Sequence, residues 1–154
     1  ILGEFSLAQS GRLQVADAVE VLDLGYDGSP TQQKGTTWAA AGIAEVEPGL
    51  PARLFVLAGV GDEGIGYQVG DLYLGLTWDH SVLPYVWLWQ ELAASNEAPW
   101  DGRVKALGIE PSNTDHGLGL DFELQSNRAK FIPPGKSVNW WISLEVTEVG
   151  ASNG

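Results

Sequence analysis

The stretch PYVWLWQ, residues 84–90, decides the fold because its side chains alternate strictly in kind. Successive side chains of an extended strand point to opposite faces of its sheet. One face of this strand carries the rings of Tyr85, Trp87 and Trp89, and the other face carries Val86, Leu88 and Gln90. The stretch therefore predicts a β-strand with a continuous aromatic surface on one side.

A second stretch, VKALGIEP at residues 104–111, is predicted to be a strand that lies beside the first. Val104, Ala106, Gly108 and Glu110 share one face, whose side chains are small until the carboxylate of Glu110. Small side chains leave space beside a wall of rings, and the acid at the strand end supplies a polar contact. Together the two strands predict the floor of a pocket for a small polar ligand.

Alternating and turn-bounded patterns elsewhere indicate that the rest of the chain is also built from strands. We expect strands over residues 1–8, 13–24, 53–58, 72–78 and 139–149, and loops over 25–35 and 111–119. Residues 118–125 fit either a short helix or a strand. No long amphipathic helix is indicated, so the pattern predicts an all-β fold, an antiparallel β-sandwich or open barrel of about seven to nine strands.

The length of 154 residues, of which 44% are hydrophobic, suits one domain with a substantial core. We assign residues 1–149 to a single β-sandwich domain and expect residues 150–154 to form a disordered tail. The chain opens on Ile1 rather than on methionine, so we expect it to lack its original N-terminus.

The strong negative charge argues against several classes of partner. Eight basic and 20 acidic residues give a formal net charge of −12, which disfavours nucleic acid and anionic lipid surfaces. No apolar run approaches the ~20 residues that a membrane span needs. The chain has no cysteine, and its only histidines, His80 and His116, lie in loops without a helical partner, so we expect neither a metal nor a cofactor.

Four segments in series resemble the aldose 1-epimerase (galactose mutarotase-like) family. They read LPYVWLWQ at residues 83–90, PWDGR at 99–103, LGIEPS at 107–112 and PPGKS at 133–137. The similarity spans roughly residues 70–148 and extends more loosely to 12–38. It implies the supersandwich fold of that family, and this chain resembles the C-terminal half of a longer family member.

The resemblance also implies a ligand and a role for one residue. It places Glu110 at the position of the glutamate that removes the proton from the anomeric hydroxyl of a hexose. Trp87 and Trp89 would stack on the sugar, Gln90 or Arg103 would contact its hydroxyls, and Trp100 lies in a connection expected over the pocket mouth. His80 is a candidate substitute acid, although an Asp-His pair in a tight turn is more often a capping arrangement. The family's own proton-donating histidine and sugar-binding arginine come from its N-terminal half.

Other interpretations of the same residues remain open at this point. Glu110 can be a solvated carboxylate at a strand end, and Trp87 and Trp89 can be core packing. The chain as a whole can be a non-catalytic sugar-binding or structural β-sandwich, or an inactive fragment. If part of the sandwich is missing, a long strand edge will be exposed, and we expect a second copy or the complementary N-terminal half to cover it.

Overall fold

The computed structural model describes residues 11–24, 36–41, 45–46 and 51–150. The strand predicted over 1–8, the loop predicted over 25–35 and residues 151–154 of the expected tail lie outside this part of the chain. The described residues form two antiparallel five-stranded sheets, which confirms the predicted all-β sandwich. No helix among them is long and apolar enough to span a membrane.

The described elements are mostly strands, with two short helices among them. In order they are β1 (Gly11–Gln14), β2 (Glu20–Leu24), β3 (Thr36–Thr37), α1 (Trp38–Ala41), β4 (Glu45–Val46), β5 (Arg53–Ala58), β6 (Ile65–Val69), β7 (Leu72–Trp78), β8 (Tyr85–Leu92), β9 (Lys105–Ser112), α2 (Leu120–Gln125) and β10 (Ile142–Glu148). The first sheet has the strand order β10-β7-β6-β1-β4, and the second has the order β3-β2-β5-β8-β9.

The core lies between the inner faces of the two sheets. Strand β7 buries Leu74, Leu76 and Trp78 and turns its alternate residues outward. In the second sheet, Phe55 lies opposite Leu88 in the antiparallel register, and both are buried in the same apolar cluster. The core therefore consists of alternate residues from both sheets, as expected for a sandwich.

The predictions for β5 and β7 are confirmed to the residue, but the single strand predicted over 13–24 is wrong. A turn interrupts that run, in which the Val19 amide donates a hydrogen bond to the Ala16 carbonyl at 3.0 Å. Because of this turn, β1 belongs to the first sheet and β2 to the second. A continuous apolar pattern hides the turn because the buried residues of both strands, Leu13 and Val21, face the same core.

The undecided segment at 118–125 contains a helix, and the predicted C-terminal strand begins three residues later than expected. Helix α2 has no buried residues, which explains why no helical stripe is visible in its sequence. Trp38 and Trp78 are buried in the core. Trp140 and Trp141 precede β10 and are about half exposed, so they lie at the margin of the sandwich.

Tyr67 in β6 carries a buried hydroxyl without a hydrogen-bond partner among the described residues. Burial raises the pKa of this hydroxyl above its ordinary value of 10.0. The folded protein then holds the proton more tightly than the unfolded chain, so the free energy of unfolding is unaffected at low pH and falls as the pH rises above about 10. Tyr67→Phe is expected to raise the free energy of unfolding by about 1 kcal/mol at pH 7 and to lessen its loss at alkaline pH.

Urea denaturation of both proteins at pH 7 and pH 10.5 measures this effect. A Tyr67→Phe protein that loses as much stability as the wild type between the two pH values would contradict it.

Candidate functional site

The candidate site is built on the outer face of the second sheet. Strands β8 and β9 pair as predicted, with Trp87 opposite Glu110 and Trp89 opposite Gly108. Residues that lie opposite each other in an antiparallel pair project from the same face, with Cβ atoms about 4.5–5.5 Å apart. The acid and both indole rings therefore share one surface, which we call the ring face: Tyr85, Trp87, Trp89, Gly108 and Glu110.

Gly108 makes room for the side chain of Glu110. A Cβ atom built at residue 108 would lie 2.9 Å from Oε1 of Glu110 and about 3.5 Å from the Cβ of Trp89. The carboxylate therefore reaches back over the glycine toward Trp89, which is possible only because residue 108 has no side chain. This small residue was singled out from the sequence for leaving space, and the structure shows which group uses that space.

Glu110 is nevertheless exposed to solvent. Its aromatic neighbours therefore do not shield the carboxylate from water. The reason is topological, because β9 is the edge strand of the second sheet and one side of the carboxylate faces water. Glu110 is available to a ligand, but it is not enclosed.

The two indoles of the ring face are half-buried and held by specific contacts. The Nε1–H of Trp87 donates a hydrogen bond of 2.8 Å to the Thr114 carbonyl in the loop after β9. The ring of Trp89 lies 5.1 Å from that of Trp100, centroid to centroid, at an angle of 52°. Tilted ring pairs at this distance are favourable. The connection that carries Trp100 thus packs on Trp89 of the ring face, and its place over a pocket mouth stays a prediction.

A buried carboxylate in β8 anchors that connection. The side chain of Glu91 is fully buried and accepts three hydrogen bonds, from the Ala94 amide at 2.9 Å, the Ser95 amide at 3.1 Å and the Ser95 hydroxyl at 2.6 Å. Its oxygens close the first turn of the segment that leads to Trp100. Sequence reasoning missed this role, because nothing in the local sequence distinguishes this buried glutamate from a solvated one.

Three of the predicted sugar-binding residues lie elsewhere. Gln90 is on the inner face, only 2% exposed, and its amide nitrogen has no hydrogen-bond partner among the described residues. Arg103 is exposed and forms an ion pair with Asp101 at 2.8 Å. His80 packs on Trp78 at the end of the first sheet, with a centroid distance of 4.8 Å. The structure brings none of the three into the ring face.

The turn that holds His80 follows the predicted capping arrangement. One carboxylate oxygen of Asp79 accepts hydrogen bonds from the Ser81 amide at 3.0 Å and from the Ser81 hydroxyl at 2.6 Å. Asx turns of this kind are a standard use of aspartate at a chain reversal. Asp79 is therefore occupied within the turn and is not paired with His80.

A polar cluster that sequence reasoning did not assemble lies beside Trp87. We call it the histidine cluster: Thr114, Asp115, His116, Glu123 and Arg128. The imidazole of His116 is 3% exposed, and its Nε2 lies 3.1 Å from Oε1 of Glu123 and 3.7 Å from Oδ1 of Asp115. Arg128 contacts His116 and forms an ion pair with Asp115 at 3.1 Å. The cluster joins the loop after β9 to helix α2.

The imidazole of His116 is contacted at both ring nitrogens. The Leu118 amide donates to Nδ1 at 3.2 Å, and Nε2 faces both the Glu123 carboxylate and the Arg128 guanidinium. The Thr114 hydroxyl lies 2.7 Å from the same Glu123 oxygen. The ring is also packed edge-on against Phe122. His116 is thus held by Leu118, Phe122, Glu123 and Arg128, and its ring nitrogens are engaged with these neighbours.

Two adjoining clefts open between this cluster and β8. They measure about 380 and 350 Å³ and share part of their lining, namely Asn113, Thr114, Glu123, Arg128, Ala129 and Lys130. Tyr85 lines the first cleft and Trp87 the second. Small-molecule sites occupy about 300–1,000 Å³, so each cleft has room for one small ligand. Trp87 therefore belongs both to the ring face and to a cleft.

Comparison of the chain with protein-family models, curated proteins and solved structures found no match. The resemblance to aldose 1-epimerases remains a hypothesis carried by four short segments. In the part of the chain that the structure describes, no group of three or more His, Asp or Glu side chains is arranged to hold a metal ion.

Proposed function

We propose that this protein binds a monosaccharide against Trp87, between the ring face and the adjoining cleft. The observation that carries the proposal is the direct opposition of Trp87 and Glu110 on one outer face. A pyranose presents an apolar C–H face and a rim of hydroxyls, so it needs a flat ring and a hydrogen-bond acceptor close together. The ring face supplies both.

The contacts around Trp87 suit such a ligand. The indole is fixed by its hydrogen bond to Thr114, so its ring is presented without an entropic cost for ordering it. The carboxylate of Glu110 accepts hydrogen bonds from hydroxyls, and bonds to a charged acceptor are the stronger kind. Asn113 and Lys130 line the cleft beside Trp87 and can donate to further hydroxyls.

The activity to test at this site is interconversion of sugar anomers. Glu110 would take the proton from the anomeric hydroxyl while the bond between C1 and the ring oxygen breaks and the ring oxygen takes a proton. Rotation and reclosure of the open-chain aldehyde then give the other anomer. His80 packs on Trp78 at the end of the first sheet, and His116 is engaged with Glu123 and Arg128, so water would supply the proton to the ring oxygen.

Non-catalytic sugar binding is the second candidate, and the exposure of Glu110 favours it. A hydrated carboxylate is a weaker base than an enclosed one, and general base catalysis typically contributes about 10²–10⁴-fold. With no acid on the ring face, the rate enhancement will fall at the low end of this range. The two candidates share the ligand and differ in whether a rate is observed.

Polarimetry of freshly dissolved α-glucose or α-galactose distinguishes them. If the protein is an epimerase, the wild type will speed mutarotation above the buffer rate, and Glu110→Gln will remove about 99% of that increment. If it only binds, no rate will be seen while both sugars still change the tryptophan fluorescence. Absence of both signals would refute the proposal.

Gly108→Ala tests the position of the carboxylate without removing it. The added methyl group displaces the far end of the flexible Glu110 side chain, so the fold should survive while the Kd for the sugar rises by roughly 10-fold, or about 1.4 kcal/mol. Gly61→Ala is the matched control because a Cβ atom there meets nothing within 4 Å. Equal Kd values for the two variants would show that the carboxylate over Gly108 takes no part in binding.

A further inference from the structure

Strand β10 forms an open edge of the first sheet in the part of the chain that the structure describes. It pairs with β7 on one side, and no described strand pairs with its other side. Its apolar side chains face inward, since Leu144 lies opposite the buried Leu76 and Val146 opposite the buried Leu74. Yet Leu144 and Val146 are 50% and 55% exposed. The inner face of the first sheet therefore extends beyond the second sheet at this edge.

Among the described residues, one of two groups of exposed large apolar side chains lies on and beside this strand, the other being at residues 118–132. Six large ones between residues 138 and 149 are about half exposed: Val138, Trp140, Trp141, Leu144, Val146 and Val149. Edge strands are normally protected by charge, proline, a bulge or a covering element, because free backbone groups recruit another strand. A concentration of apolar side chains beside such an edge marks an interaction surface.

We propose that β10 pairs antiparallel with β10 of a second copy of this chain, so that the two first sheets become one continuous sheet in a two-fold dimer. A two-fold contact places the same strand against itself, and the strand must then be complementary to its own reversed sequence. Only three registers keep at least five residues of β10 paired, with the axis at Leu144, Glu145 or Val146.

The sequence of β10 selects one of these registers. An axis at Glu145 sets two like charges directly opposite each other, which is destabilising. An axis at Val146 sets Leu144 against the charged Glu148 of the other copy. An axis at Leu144 pairs Leu144 with itself and Ile142 with Val146 in both directions, which leaves only apolar pairs on the inner face.

The outer face of the same register is also matched. Ser143 lies opposite Glu145 of the second copy, so its hydroxyl can donate to that carboxylate. The Asp79 amide donates to the Trp141 carbonyl at 3.1 Å, which extends the ordered backbone one residue before β10 and brings Trp141 opposite Thr147. This self-complementarity is the reason to assign the edge to a second copy rather than to a different polypeptide.

Single cysteines test the register, because the natural chain contains none. Opposite residues of an antiparallel pair have Cα atoms about 4.5–5.5 Å apart, which suits a disulfide. Leu144→Cys is therefore expected to form a covalent dimer on air oxidation, seen on a non-reducing gel. Val146→Cys should not, because the two copies of residue 146 would be about 13 Å apart. Crosslinking of Val146→Cys in preference to Leu144→Cys would overturn the register.

The dimer itself is tested by measuring the mass of the wild-type protein by light scattering as it elutes from a size-exclusion column. At physiological salt we expect the wild type to have twice the mass of one chain. We expect Leu144→Lys to have the mass of one chain, because the substitution sets two cations directly opposite each other. Leu124→Lys is the matched control, since Leu124 is 60% exposed on α2, away from the edge, and should leave the dimer intact. A monomeric wild type would overturn the proposal, and the edge would then be covered by another segment or polypeptide.

Discussion

Trp78→Ala is expected to lower the free energy of unfolding by about 3–5 kcal/mol. Trp78 is 1% exposed and is the largest fully buried side chain among the described residues. Its removal leaves a cavity between the sheets, and the Leu83 carbonyl loses the 2.8 Å hydrogen bond that the indole donates. The side chain therefore holds both the core and the connection from β7 to β8.

Urea denaturation followed by far-UV circular dichroism measures this loss. Trp78→Phe keeps a ring but removes the N–H donor, so its effect should lie between those of the wild type and Trp78→Ala. Phe131→Ala is a suitable control because Phe131 is 82% exposed, and its effect should stay within about 0.5 kcal/mol. Equal losses for Trp78→Ala and Phe131→Ala would show that the sheets do not pack as described.

Glu91→Ala is expected to lower the free energy of unfolding by about 3 kcal/mol. The carboxylate is fully buried, and its loss leaves two amides and one hydroxyl at residues 94–95 without their acceptor. Partial exposure of Ala94 and Ser95 admits some water, which keeps the loss below the sum of three full penalties. Glu91→Gln retains an acceptor oxygen and should lose less.

The effect of Glu91→Ala should also reach the ring face. Hydrogen exchange of the Ala94 and Ser95 amides should speed up, and the Trp100 ring should loosen from Trp89. Glu97→Ala, at an exposed position of the same connection, serves as the control and should change neither property. Unchanged exchange in Glu91→Ala would mean that this carboxylate does not anchor the connection.

Much of the fold was predictable because local and tertiary signals agree. In β7 the alternate residues Leu74, Leu76 and Trp78 are buried, and glycines with positive φ, at 64 and 70, lie at the two ends of β6. The alternation in β8 likewise predicted correctly that its rings and its aliphatic side chains lie on opposite faces. The turn at residues 16–19 was not predictable, because apolar residues that face the same core stand on both sides of it. The apolar pattern of the sequence therefore runs through the turn without a visible break.

The candidate site was predictable only as far as one strand pair extends. The opposition of Trp87 and Glu110 follows from two adjacent strands, so local patterns were enough. The exposure of Glu110 depends on the position of β9 at the edge of the second sheet. Strand order is a tertiary property, so the sequence of β9 alone does not reveal it. The histidine cluster depends on the loop after β9 folding back on a short helix with no buried residue, so His116 and Glu123 show no periodic signal.

Strand β10 also has a consequence for how the protein is made. Its partner β7 lies far upstream, so Ile142 pairs with Trp78 and Glu148 with Leu72 across the longest sequence separations of any described strand pair. During synthesis the side of β7 away from β6 stays without its β10 partner until residues 142–148 have left the ribosome. Contacts of long sequence separation form slowly, and an unsatisfied strand recruits other chains. Nascent chains that do not yet include β10, and variants cut before it, should therefore depend on chaperones more than chains that contain it.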